Sequence, residues 1–139
     1  MIWLLIFILS VIVFLVTGGR HFRSLYLPGV TLSLLGLMTE FVGQTLGYWR
    51  TEKEIIEIAR APLFLIGAYF FCGMLIARFN PRRLLHRLLL LLILVLSSSA
   101  LEQVLVRLGY VRWVNMHILA CLLLHTAVLS IVMLVAQRK

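Results

Sequence analysis

Residues 29–47 read GVTLSLLGLMTEFVGQTLG, an apolar run that carries one acid, Glu40. Gly29, Ser33, Gly36, Glu40, Gly43 and Gly47 follow one another at alternating steps of four and three. Such steps keep to one stripe of a helix. All but Glu40 are glycine or serine, so the stripe is a groove where another backbone can approach closely. Glu40 lies in the groove and is expected to face a packed neighbour, because an intramembrane acid does not face lipid.

The stretch has an echo further along the chain. Residues 40–50 align without gaps to residues 102–112, an offset of 62 from Glu40 to Glu102. The matches are Glu40/Glu102, Val42/Val104, Leu46/Leu108, Gly47/Gly109, Tyr48/Tyr110 and Arg50/Arg112. Valine and leucine matches are cheap in an apolar chain. Glu, Gly, Tyr and Arg in register are not, so an internal repeat is expected. Ser98 takes the place of Gly36, and Gly109 that of Gly47.

The surrounding chain places this pattern in a bilayer. Of 139 residues, 63% are hydrophobic, with mean hydropathy +1.08. A soluble domain is nearer half apolar. Spans are expected at about 2–17, 27–47, 62–79, 84–108 and 113–136. The fold class is then an all-α bundle of five transmembrane helices in a single integral membrane domain. Spans 2–3 and 4–5 would be parallel repeats about an axis along the membrane normal. Pro28 is read in a first helical turn, and Asn80-Pro81 as the start of the fourth helix. Thr51 with Glu54 makes a capping-box pattern, so residues 51–60 are read as a short interfacial helix.

Net charge is +8, and every acid is a glutamate. The bases fall in short loops between apolar spans, which points to topology and anionic headgroups on the cytoplasmic side, not to nucleic acid. Placing the N-terminus outside and the C-terminus inside puts Arg20, Arg23, Arg78, Arg82, Arg83, Arg87, Arg138 and Lys139 in the cytoplasm. Arg50, Lys53, Arg60, Arg107 and Arg112 then lie outside, the smaller set. This orientation follows from the positive-inside bias.

Three constellations bear on chemistry. Glu40 and Glu102 each lie seven residues before a Gly-Tyr. Equal depth and a pseudo-twofold axis would bring them together, and two close carboxyls in low dielectric do not both ionise cheaply. That suits a proton or cation site. Singly, each acid is better explained by an interhelical hydrogen bond or by pairing with a base such as Arg107; for the matched pair the two readings weigh equally. The second is His117-x3-Cys121-x3-His125, one ribbon of a helix bearing soft donors. Core packing and interhelical hydrogen bonding outweigh a metal there, so no metal or other cofactor is expected, and no disulfide between Cys72 and Cys121. The third is Ser97-Ser98-Ser99. Ser98 is read as a residue that lets helices approach or that bonds back to its own helix's carbonyls, and Ser97 and Ser99 have no base placed to activate them. The chain has no Asp, no G-x-S-x-G and no H-E-x-x-H, so it is not expected to be an enzyme.

Two stretches resemble known families. Glu40–Leu46 resembles the Glu-bearing first helix of small multidrug resistance transporters. The resemblance implies a carboxyl that binds a cationic substrate and protons by turns. Leu101–Asn115 is similar to an uncharacterised family of small multi-spanning membrane proteins of Gram-positive bacteria. It implies a bacterial cytoplasmic membrane and brings no activity with it. The leading expectation is a proton- or cation-linked binding or transport site at Glu40 and Glu102. Its rival is an accessory or scaffold subunit whose Gly/Ser groove docks another membrane protein or a second copy.

Overall fold

The computed structural model describes residues 2–18, 22–51, 57–58 and 61–137. Among them are five α-helices and four short strands. The helices are α1 (Ile2–Gly18), α2 (Phe22–Thr45), α3 (Leu63–Phe79), α4 (Leu84–Arg107) and α5 (Ile118–Ala136). The strands are β1 (Trp49–Thr51), β2 (Glu57–Ile58), β3 (Ala61–Pro62) and β4 (Val111–Trp113). Three helices, α2, α4 and α5, are long and apolar enough to cross a membrane. The 17 residues of α1 and of α3 are as apolar but shorter, about 26 Å each at 1.5 Å per residue. Leu5, Leu15, Val16, Leu34, Leu89, Leu119 and Leu123 are all at least half exposed. So much apolar surface on the outside of the bundle is what a chain solvated by lipid presents.

α3 is the central helix. It packs most extensively on α2 and also contacts α1 and α5. The small-residue face of α2 makes this possible. A Cβ on Gly29 would come within 2.8 Å of the Phe70 carbonyl oxygen, and one on Gly73 within 2.6 Å of the Pro28 carbonyl oxygen. The two backbones therefore touch where neither helix has a side chain. One turn on, Ser33 donates to the Ile66 carbonyl at 3.2 Å. Gly36 lies under the Tyr69 ring and Gly43 under the Trp49 indole, each in the space a Cβ would need. The groove is thus filled by the chain's own α3 and β1. α1 is held to α3 by rings: Phe7 lies 5.9 Å from both Phe64 and Phe71, and Phe14 lies 5.6 Å from Phe71.

Gly47 and Gly109 do not pack helices. Each has positive φ, +74° and +83°, with open space where a Cβ would stand. Each ends its helix in a Schellman turn. Gly47 N–H donates to Gln44 and Tyr48 N–H to Gly43; Gly109 N–H donates to Val106 and Tyr110 N–H to Leu105. The two turns deliver the chain into β1 and β4, which pair antiparallel as Trp49↔Trp113, Arg50↔Arg112 and Thr51↔Val111.

Several boundaries differ from the sequence reading. Thr51 is in β1, and Glu57–Ile58 pairs with Ala61–Pro62, so no interfacial helix starts at Thr51. The ribbon with β4 claims the backbone that the capping-box pattern would have used. Glu54 and the rest of 52–56 and 59–60 lie outside the described residues, as do Arg20, Arg138 and Lys139. Pro28 is inside α2, not in its first turn, because the helix begins at Phe22. Asn80 closes α3, donating through Nδ2 to the Met133 carbonyl at 3.1 Å. α4 starts only at Leu84, where Arg87 donates to the Pro81 and Arg82 carbonyls. The fifth helix starts at Ile118, since Val111–Trp113 is committed to the ribbon.

Candidate functional site

The stripe on α2 aims Glu40 into the bundle, where it is buried at 9% exposure. Its Oε2 accepts from Trp49 Nε1 at 3.1 Å, Gln44 Nε2 at 3.1 Å and Thr51 Oγ1 at 3.0 Å. Gln44 is one helical turn along α2. Trp49 and Thr51 come from β1, folded back by the turn at Gly47. Tyr69 of α3 faces both Glu40 and Glu102.

Glu102 is on α4, half-buried, and is held from the corresponding ribbon. Trp113 Nε1 donates to its Oε1 at 2.9 Å. Thr51 and Trp113 are 62 residues apart in sequence, the same offset as the two acids. The other oxygen, Oε2, faces α5. It accepts from the Cys121 thiol at 3.2 Å and lies 3.4 Å from His125 Nε2. His125 Nδ1 lies 3.0 Å from Ser99 Oγ and 3.5 Å from Cys121 Sγ.

The surroundings of the two acids therefore differ. Glu40 rests on three neutral donors. Glu102 has one such donor and a cluster of a thiol, an imidazole and a hydroxyl. Both acids line one cavity of about 570 Å³, together with Gly36, Tyr69, Cys72, Ser98 and His125. The cavity lies among all five helices, α1 contributing Trp3 and Ile6. Its polar groups gather at the level of the acids, and its remaining walls are apolar side chains such as Leu32, Ile76 and Leu129.

The placements of the remaining residues are mixed. His125 and Cys121 lie against Glu102, whereas His117 is exposed in the residue before α5. The expected ribbon of three donors is broken because the helix begins one residue after His117. Ser98 bonds back to the Val95 carbonyl at 3.1 Å. Its neighbour Ser99 is the serine that reaches across to α5, and it has a base beside it, contrary to the sequence reading. Arg107, offered by the sequence as a partner for an acid, is exposed. Trp49, Thr51, Trp113 and Ser99 were not foreseen as parts of the site. Only the common spacing of Thr51 and Trp113, each 11 residues after its glutamate, pointed to the ribbon donors. No family model, curated protein or solved structure matches the chain, so the two resemblances of single stretches assign it to no family and the site stands on its own geometry.

Proposed function

We propose that the chain is a five-span protein of a bacterial cytoplasmic membrane in which Glu40 and Glu102 serve a proton- or cation-linked binding or transport cavity. The observation that carries this reading is that both carboxyls line one cavity inside the bundle. A largely apolar cavity that holds two carboxyls between apolar helices has its place in a bilayer as a pathway or a site, since ionisable groups there are costly to keep. Tyr69 and His125 add groups that relay protons along the same wall.

The repeat supports this reading. The caps at Gly47 and Gly109 carry the same bonds 62 residues apart, as do the donors Thr51 and Trp113. A twofold axis that exchanges the repeats maps Arg50 onto Arg112, and maps the pair Trp49–Trp113 onto Val111–Thr51. Those are the pairs observed in the ribbon. In this arrangement α1 and α3, short as they are, span with the flanking residues, and α2–α3 and α4–α5 are the repeated hairpins. The basic loops face the cytoplasm and its anionic headgroups, and the ribbon faces outside. Cysteine labelling of intact cells tests the orientation: a thiol placed at Glu57 reacts and one placed at His86 does not, and the reverse pattern overturns it.

The function is tested in proteoliposomes with a pH-sensitive dye inside. An imposed membrane potential drives proton entry through the wild type, and Glu40→Gln and Glu102→Gln each abolish it. Flux that survives both substitutions defeats the reading. A second reading, that of an accessory or scaffold subunit, is favoured by one observation: Glu40 Oε2 accepts from three neutral donors, as an acid serving only to join elements of the fold would. It requires an outer face for the partner, because α3 fills the Gly/Ser groove. It leaves the liposomes tight with and without the acids.

A further inference from the structure

The geometry points to a transition-metal site of zinc type formed by Glu102, Cys121 and His125. One donor atom from each of the three lies within 4.8 Å of the other two. Around a tetrahedral zinc ion, with bonds of about 2.0–2.3 Å, neighbouring ligand atoms are roughly 3.3–3.6 Å apart. Glu102 Oε2 is already 3.2 Å from Cys121 Sγ and 3.4 Å from His125 Nε2. Closing the set around an ion needs only small rotations of side chains that share a cluster.

The outer shell is in place too. Trp113 holds Oε1 of Glu102 and leaves Oε2 free to bind. Ser99 Oγ lies 3.0 Å from His125 Nδ1; in the tautomer that carries its proton on Nδ1 and donates it to Ser99, Nε2 is the ligating nitrogen. A ligating histidine whose other nitrogen is hydrogen-bonded is the usual arrangement at such sites.

Charge selects the class of ion. On binding, the Cys121 S–H bond breaks, an S–metal bond forms and the proton is released to bulk water. Thiolate and carboxylate then bring two negative charges, and the neutral imidazole brings none. A divalent cation makes the site neutral, which low-dielectric surroundings favour over a monovalent or trivalent one. A thiolate with an imidazole prefers zinc or a similar borderline ion over magnesium or calcium. Three protein ligands leave a fourth position, and Glu102 and His125 open that position to the cavity. The site shares Glu102 with the proposed transport cavity but does not depend on transport.

The probe is cobalt(II) added to chelator-stripped protein in nanodiscs, followed by competition with zinc. One equivalent is expected to bind with a thiolate-to-cobalt charge-transfer absorption, and zinc is expected to displace it. Cys121→Ser removes that absorption, whereas Cys72→Ser and His117→Ala keep it. Ser99→Ala and Trp113→Phe weaken binding about 10–100-fold, the usual effect of removing outer-shell partners. Glu40→Gln keeps cobalt binding even where it abolishes proton flux, so the two readings fail separately. Should Cys121→Ser not fold, X-ray absorption of the zinc-loaded wild type decides, with one sulfur and light-atom neighbours expected. A sulfur-free shell, no binding by folded wild type at millimolar cobalt, or a charge-transfer absorption that survives Cys121→Ser each overturns the assignment. Any of these leaves Glu102, Cys121 and His125 as a hydrogen-bonded cluster only.

Discussion

Glu40 and Glu102 occupy matching places on α2 and α4, yet one is closed and the other is open. Around Glu40, a tryptophan, a glutamine and a threonine all donate to the same oxygen. Around Glu102, a single tryptophan donates to one oxygen, and the other meets groups that can each lose or gain a proton. The same backbone device therefore produces two kinds of site. The cap and ribbon fix where the carboxyl sits, and the neighbouring helix decides what it can do. α3 offers Glu40 a tyrosine, and α5 offers Glu102 a thiol and an imidazole.

The largest test of this contrast is steric. Gly36→Leu drives a branched side chain into the Tyr69 ring and should cost about 3 kcal/mol or more, the upper range for overpacking. Ser98→Leu, at the matching place in α4, adds its bulk beside a cavity and should cost less than half as much. Leu34→Phe, on an exposed position, should be neutral. Thermal unfolding in detergent measures all three, and equal losses would show that α2 and α4 are equally tightly packed.

Removing each acid gives the next largest difference. Glu40→Ala strands three donors, one on its own helix and two on β1; with about 0.6 kcal/mol for each, the average found for side-chain bonds between membrane helices, a loss of about 2 kcal/mol is expected. After Glu102→Ala, His125 keeps Ser99 and Cys121, Trp113 and the Cys121 thiol each lose an acceptor, and the loss should be about 1 kcal/mol. Unfolding in denaturant reads the two values, and a larger loss at Glu102 reverses the assignment of closed and open sites.

Proton uptake is a subtler comparison. Infrared difference titration of chelator-treated protein should show Glu40→Gln altering the carboxyl signal of Glu102, and the reverse, because charges that share a cavity titrate together. His125→Gln should alter the signal of Glu102 far more than that of Glu40. Two titrations indifferent to each other's substitution would separate the acids into independent sites.

The caps should show the smallest contrast, none at all. Gly47→Ala and Gly109→Ala each force a Cβ into a positive φ with no neighbour to strike, costing about 1–2 kcal/mol apiece. Their difference, measured by unfolding, should be close to zero. A clear inequality would mean that the two turns are not equivalent in strain.

Helix periodicity carried the sequence reading a long way. The spacing of Gly29, Gly36, Glu40 and Gly43 placed them on one face because a helix repeats locally, whatever packs on it. What lay beyond reach was set by non-local pairing. Thr51 has a cap-like pattern with Glu54, but the ribbon with Val111 won, and only that ribbon turns Thr51 and Trp49 toward Glu40. The same ribbon stops α5 from starting at Trp113 and takes His117 out of line with Cys121. Ser99 and Ser98 differ by one position, about a quarter turn of helix, and composition alone could not say which one faces α5. The cavity depends on where five helices meet, and no single stretch encodes that.

The ribbon also sets an order of assembly during synthesis. Every donor that Glu40 uses has been made by residue 51, only 11 residues after the acid. The groups that surround Glu102 are not complete until His125, 23 residues after it. At the usual rate of about 5–20 residues per second, the second acid waits roughly twice as long as the first for its partners. α4 must therefore enter the bilayer with a carboxyl whose thiol and imidazole neighbours are still to come, and an unmatched polar group in hydrocarbon costs several kcal/mol. The last helix is thus what makes the second half insertable, and a nascent chain halted before Cys121 would hold α4 at the water interface.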